Sequence, residues 1–295
     1  MRSARYWSRR GAAPYLFVAP FFVIYAAFFA TPVFSSLYLS LTKWSGVGTP
    51  ALVGLANYER LLFRPGFVQV LVQTAWYVVG SVGTIIPFAF ALALLLNSRW
   101  LRFRNGYRLL FFLPAVTSAI VIGISFASLY HVRYGLFAWS LGLVGLEPIP
   151  WLDSETWFKP AVLLMIVWRW VGYNAVYFLA GLQNIPPELY EAASIDGATW
   201  RQRLVHVTLP LMRPVLLFVL IVEMISDLQL FEDVYILDPG GGPAEGGLTA
   251  VMYLYRYGLL YGELGYAAAV GVFIALLSFL LSVTQFRLFG ASRDW

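Results

Sequence analysis

From Phe67 to Ser98 the chain runs for thirty-two residues without a single charged side chain. As a helix at ~1.5 Å per residue, such a run is long enough to cross a ~30 Å hydrocarbon layer. The apolar residues are continuous rather than alternating. Lipid offers no partner to backbone N–H and C=O groups, so a continuous run of this kind satisfies them internally as a helix and does not suit a barrel strand. Pro87 interrupts the run and is expected to kink it.

Five more blocks share this character. They run from Pro14 to Leu39, Leu109 to Tyr130, Pro160 to Leu182, Pro214 to Leu237 and Leu264 to Phe286. Pro114 stands near the start of the second of these, Arg169 lies in the Pro160 block, and Glu223 and Asp227 lie in the Pro214 block. The expected fold is all-α: a polytopic membrane protein of six transmembrane helices. Charged residues make up only 12% of the 295, where soluble proteins carry about 25%, too few to clothe a soluble core. The first block is too long for the apolar core of a cleaved signal peptide, and Pro32, Tyr38 and Trp44 stand where a small-residue cleavage site would be. It is therefore expected to remain as a helix.

The net charge of +5 does not mark a nucleic-acid binder, because the basic residues fall in short groups between apolar blocks. One set of segments holds Arg2, Arg5, Arg9, Arg10, Arg99, Arg102, Arg104, Arg108, Arg201, Arg203, Arg213, Arg287 and Arg293. The alternate set holds Lys43, Arg60, Arg64, Arg133, Lys159 and Arg256. The positive-inside rule then puts both termini in the cytoplasm, with outer segments at roughly 42–66, 131–159 and 238–263. The chain has no cysteine, and its two histidines, His131 and His206, are far apart in sequence, which argues against disulfides and metal chemistry.

The longest cytoplasmic segment carries a dense pattern. Pro186 and Pro187 end one helix and favour the start of another. Leu189, Ala192 and Ala193 share one face of that short helix, Glu188, Glu191 and Asp196 add acids, and Gly197 permits a sharp exit. The segment reads as a short amphipathic helix, expected over Pro187–Gly197, lying parallel to the membrane and small enough in its side chains for another surface to approach closely.

Glu191-Ala192-Ala193, then Gly197, then Val207-Thr208-Leu209-Pro210 resembles the signature loop of ABC importer permeases, with Val207 in place of the usual Ile. Asn57-Tyr58, Trp170-x-Gly172-Tyr173 and the stretch from Phe231 to Val234-Tyr235 resemble the sugar-permease branch of that family, the maltose- and glycerol-phosphate-type inner membrane components. The likeness covers about Pro14 to Phe289. It implies the type I importer permease fold, with a cytoplasmic segment at 1–13, a permease domain at 14–290 containing a coupling loop at 183–210, and a tail at 291–295.

The resemblance further implies a non-enzymatic transport subunit in a prokaryotic plasma (inner) membrane. Its implied partners are a second permease in a heterodimer, two ATPase subunits that hold the ATP and magnesium, and an extracytoplasmic substrate-binding protein. The chain itself has no Gly-x-x-x-x-Gly-Lys-Ser/Thr phosphate loop. Coupling to the ATPases falls to Glu191, Ala192, Ala193, Asp196, Gly197, Leu209 and Pro210. Substrate contacts fall to Trp168, Arg169, Gly172, Tyr173, Glu223, Ser226 and Asp227, with Ala175 at a further position of the pattern.

Charges within the membrane are costly and are expected to face the interior and pair. Arg169 and Glu223 each lie ten residues, or roughly 15 Å, from the marker charges Lys159 and Arg213, so a buried Arg169–Glu223 bridge is one expectation. Substrate contact, with acids that disfavour an anionic sugar, is the other. An ion-coupled secondary transporter is the alternative class, and it leaves the Glu-Ala-Ala loop unexplained. An intramembrane enzyme built on Glu223 and Asp227 lacks any accompanying nucleophile or metal set.

Overall fold

The computed structural model describes residues 15–63, 65–98 and 101–290. Arg2, Arg5, Arg9, Arg10, Pro14, Arg64, Arg99, Arg293 and the terminal segments 1–13 and 291–295 lie outside the described residues. The chain divides into two compact units, one formed by the residues up to 63 with 254–273, the other by 65–253 with 274–290.

The first unit begins with α1 (Tyr15–Ser40), which contains a π-helical turn at Ala26–Ala30. A hairpin follows, β1 (Thr42–Lys43) paired antiparallel with β2 (Ala51–Leu52), and then α2 (Ala56–Phe63). Helices leave their last carbonyls without intrahelical partners. Here Asn57 donates through its amide to the carbonyls of Ser40 and Thr42, both at 2.8 Å, and the Tyr58 hydroxyl donates to Ser40 Oγ at 2.7 Å. The Asn57-Tyr58 pair thus closes the end of α1. In the same unit Arg60 pairs with Glu263 and lies 4.1 Å from the centre of the Tyr266 ring. A Cβ built on Gly265 falls 2.0 Å from the Thr42 carbonyl oxygen, so the last long helix starts against the hairpin only because this residue lacks a side chain.

The second unit is helical. It contains α3 (Pro65–Asn97), α4 (Arg104–Val116), α5 (Ala119–Leu129), α6 (Leu136–Leu143), α7 (Glu155–Gln183), α8 (Pro187–Ile195), α9 (Trp200–Leu228) and α10 (Glu232–Leu237). α11 (Ala250–Tyr255) precedes a π-helical turn at Arg256–Leu260, and α12 (Leu264–Gly290) contributes residues to both units. The core of the second unit joins α3, α7 and α9. Ala89, Ala93, Ala175, Phe178, Met212 and Val219 are all fully buried there. Small residues on the α3 face let the α7 backbone come close, as helix packing in lipid requires. Phe178 meets Phe90 edge to face at 5.6 Å between ring centres.

Five helices are long and apolar enough to cross a membrane, or six if α4 and α5 form one bent span. The Leu109–Tyr130 block is therefore not the single helix expected. It bends by 95° between α4 and α5. Thr117 and Ser118 are extended (ψ 143° and 134°), and Pro114, inside α4, cannot donate a helical hydrogen bond. The Pro214–Leu237 block is corrected too. α9 starts as early as Trp200 and stops at Leu228; Gln229–Phe231 break it, and α10 begins at Glu232. Pro210 and Leu209 of the expected coupling loop consequently lie inside α9. Pro87 does not interrupt α3, which stays continuous from Pro65 to Asn97.

Candidate functional site

α7 and α9 carry the charges that the sequence places within the membrane, and the break after Leu228 opens space beside them. A cavity of about 390 Å³ lies there. Arg169, Tyr173, Glu223, Ser226 and Asp227, five of the seven residues expected at the substrate site, line it. Glu223 and Asp227 stand one turn apart on α9, on one face.

The expected Arg169–Glu223 bridge does not form. Arg169 Nη1 instead donates to Asp233 Oδ1 at 2.7 Å, with both residues less than a tenth exposed. Asp233 comes within reach because α9 ends at Leu228 and the chain restarts in α10; a helix continuing to Leu237 would have carried it elsewhere. Glu223 is served by Asn174, whose Nδ2 donates to its Oε2 at 2.9 Å. Asp233, Asn174 and Glu232 also line the cavity and were missed from sequence. Asp233 sits in a segment read as uninterrupted helix, and Asn174 is one uncharged polar residue in an apolar run. The cavity wall holds four carboxylates, Glu223, Asp227, Glu232 and Asp233, against one guanidinium, Arg169.

The break itself is braced. Leu230 lies where α9 no longer supplies a helical partner, and Thr249 Oγ1 donates to its carbonyl at 2.6 Å. Thr74 Oγ1 on α3 accepts from Ala250 N at 3.0 Å. These bonds satisfy backbone groups that would otherwise be orphaned in an apolar setting.

Two expected contact residues do something else. A Cβ on Gly172 would fall 1.7 Å from the Phe111 carbonyl oxygen, so Gly172 is where α7 packs directly on the α4 backbone, away from the cavity. Trp168 is half exposed and packs on Phe126 at 5.3 Å between ring centres, also outside the cavity lining. Ala175 is wholly buried in the core between α3, α7 and α9. In the segment 238–263, Tyr253 is buried against Phe67, while Tyr261 is exposed.

The expected coupling helix is α8, which ends at Ile195, two residues short of Gly197. None of its residues is buried, and Leu189 and Ile195 present large apolar side chains outward. Glu191, Ala192, Asp196 and Gly197 are exposed and Ala193 is half-buried. Gly197 has φ +77°, in the left-handed region that favours glycine, and no atom lies within 4 Å of a Cβ built on it. The chain turns there and re-enters a helix through a capping box, with Thr199 Oγ1 accepting from Gln202 N and Gln202 Oε1 accepting from Thr199 N. The Tyr190 and Thr208 hydroxyls meet at 3.0 Å, and Arg203 donates to Ser194 Oγ at 3.0 Å, fastening α8 to the lower part of α9.

Comparison with known proteins follows this geometry. The family described as binding-protein-dependent transport system inner membrane component matches residues 85–291. The arabinooligosaccharides transport system permease protein AraP of Bacillus subtilis is 39% identical over 283 residues, 96% of this chain and 90% of the relative. The lactose transport system permease protein LacF of Rhizobium radiobacter is 38% identical over 288 residues, 96% and 94% of the two chains. A solved bacterial alginate ABC transporter, in complex with an alginate pentasaccharide-bound periplasmic protein, superposes with a TM-score of 0.84 at 22% identity, over 95% of this chain and 94% of that one.

Proposed function

The chain belongs to the binding-protein-dependent transport system inner membrane components, and on that premise we propose that it is the transmembrane permease subunit of an ATP-driven importer for a mono-, di- or oligosaccharide. The observation that carries the reading is the reach of α9. One helix bears Leu209 and Pro210 of the signature near its start and Glu223 and Asp227 of the cavity near its end. A motion imposed at α8 therefore reaches the cavity along one continuous helix, through the π-helical turn at Leu204–Thr208.

In this reading both termini are cytoplasmic and the chain crosses a prokaryotic inner membrane six times, with α4 and α5 forming one bent span. α8 docks on an ATPase, with Glu191 as its charged contact and Gly197 as its turn. Two such ATPases hold ATP and magnesium, and a second permease completes a heterodimer. Outer segments 131–159 and 238–263, with the exposed Trp157 and Tyr261, receive the substrate-loaded binding protein. Sugar hydroxyls meet Glu223, Ser226, Asp227 and Tyr173 in the cavity. Names of relatives support the saccharide class. The excess of carboxylates over guanidinium supports a neutral or cationic saccharide rather than a uronate or sugar phosphate.

The test is uptake into proteoliposomes holding the chain with the subunits that copurify with it. Uptake of labelled saccharide that requires internal ATP and external binding protein, and that Glu223→Gln or Asp227→Ala lowers or redirects among sugars, is the expected result. Uptake driven by a proton or sodium gradient without ATP would place the chain among secondary transporters instead.

A further inference from the structure

α3 carries a second feature that the cavity does not use. Gln73, Tyr77 and Ser81 recur every four residues and so share one face of the helix. All three are buried: Gln73 is 6% exposed, Tyr77 and Ser81 0%. Each nonetheless has a polar atom without a hydrogen-bond partner, Gln73 Oε1, Tyr77 Oη and Ser81 Oγ. A fourth such atom is Asp227 Oδ2 on α9, on a residue 4% exposed; the Ser81 hydroxyl lies within hydrogen-bonding reach of that carboxylate without ideal geometry, so the two close the end of the row. The row thus ends at the cavity wall. Near its middle, the Tyr77 hydroxyl is 2.8 Å from a Cβ built on Gly247, in the outer segment 238–263.

Buried polar groups are satisfied in nearly all native proteins, because leaving one bare costs free energy. Three in register on one face of α3, with Asp227 of α9 opposite the last of them, call for a common partner that is not protein. Successive positions are separated by a rise of about 6 Å, close to two hydrogen bonds of ~2.8 Å through one water molecule. A saccharide ring is too large for a seam lined by residues this buried. A bound metal ion is equally unsuited: the row holds one carboxylate, and no group of three or more His, Cys, Asp or Glu side chains able to hold a metal occurs among the described residues. An internal water takes two to four polar partners, and each neighbouring pair in the row supplies two polar atoms for one.

We infer that Gln73, Tyr77, Ser81 and Asp227 bind a file of internal water that joins the outer segment near Gly247 to the cavity. Water displaced when a solute enters the cavity leaves by this file, within the subunit, and returns by it when the solute departs. The use assigned to the water rests on the proposed transport function; its presence does not.

Hydroxyl-radical footprinting by X-ray radiolysis, in which bound water generates the radical in place, tests the inference on the full chain in lipid nanodiscs with its copurifying subunits. Tyr130 is the internal control, because it is 1% exposed and its hydroxyl already donates to the Ala161 carbonyl at 2.6 Å. Tyr77 is expected to be oxidised at least several-fold faster than Tyr130; equal or slower oxidation overturns the inference. Tyr77→Phe gives a second reading. Removing a hydroxyl from a dry site raises Tm, and that result overturns the inference; a Tm that is unchanged or lower supports it. Both measurements are made without transport, so a dry seam leaves the importer reading standing, and failed ATP-driven uptake leaves the water file standing.

Discussion

The cavity and α8 are built on opposite plans. Arg169, Glu223, Asp227 and Asp233 are each less than a tenth exposed, and their geometry depends on the α9 break, Thr249 and Asn174. α8 buries none of its residues and meets the rest of the chain through a few hydroxyl and guanidinium contacts. In the first region, fold and site use the same side chains, so a substitution there changes stability and function together. In the second, the exposed residues contribute little to this chain's own stability, and under the proposed function their worth lies in what docks on them.

The contrast is sharpest at the buried ion pair. Asp233→Ala leaves Arg169 charged and uncompensated, at a cost of about 3–5 kcal/mol; thermal unfolding in detergent is expected to show it, together with loss of uptake. Replacing both partners by Arg169→Met and Asp233→Leu should restore most of the stability, and a double variant as unstable as the single one would mean that the pair is not the cause. Gly172→Ala comes next. Its methyl group meets the Phe111 backbone at 1.7 Å, and forced repacking costs about 1–3 kcal/mol; the same unfolding assay should lose cooperativity or Tm.

α8 should answer differently. Gly197→Ala meets no atom within 4 Å but holds φ +77°, which costs a non-glycine residue about 1–2 kcal/mol. Membrane insertion is expected to survive, while uptake falls far more than the Tm shift accounts for. Glu191→Gln is the smallest change to the chain itself, within about 0.5 kcal/mol, yet ATP hydrolysis stimulated by loaded binding protein should weaken. If both α8 variants transport normally, the division between a self-stabilising and a partner-facing region collapses.

The same contrast explains what was legible in the sequence. Glu191-Ala192-Ala193, Gly197 and Leu209-Pro210 are local and contiguous, so turn chemistry and spacing describe them without tertiary knowledge, although α8 stops two residues early and Leu209-Pro210 lie inside α9. Four of the six apolar blocks likewise match single helices, because period and length need no partner; the Leu109–Tyr130 and Pro214–Leu237 blocks are each broken. Of the two expectations for Arg169, the buried bridge names Glu223, whereas the pair that forms is with Asp233. Choosing between Glu223 and Asp233 requires the break at Gln229–Phe231, and nothing local to those three residues forbids helix. Gly172 enters the expected contact set through the resemblance alone, and a glycine at a helix crossing and one beside a ligand look alike in sequence until the neighbouring backbone is placed.

The length of α9 has a mechanical consequence. From Trp200 to Asp227 the helix rises about 40 Å, and α8 is tied near one end of it through Tyr190 and Thr208. If α9 pivots as a stiff rod about that lower end, a tilt of about 10° swings the Asp227 carboxylate through about 7 Å, a displacement comparable to the width of a pyranose ring. The gearing is set by contour length alone. In the proposed importer, a modest rotation delivered at the α8 end arrives at the carboxylates as a stroke on the scale of a saccharide ring.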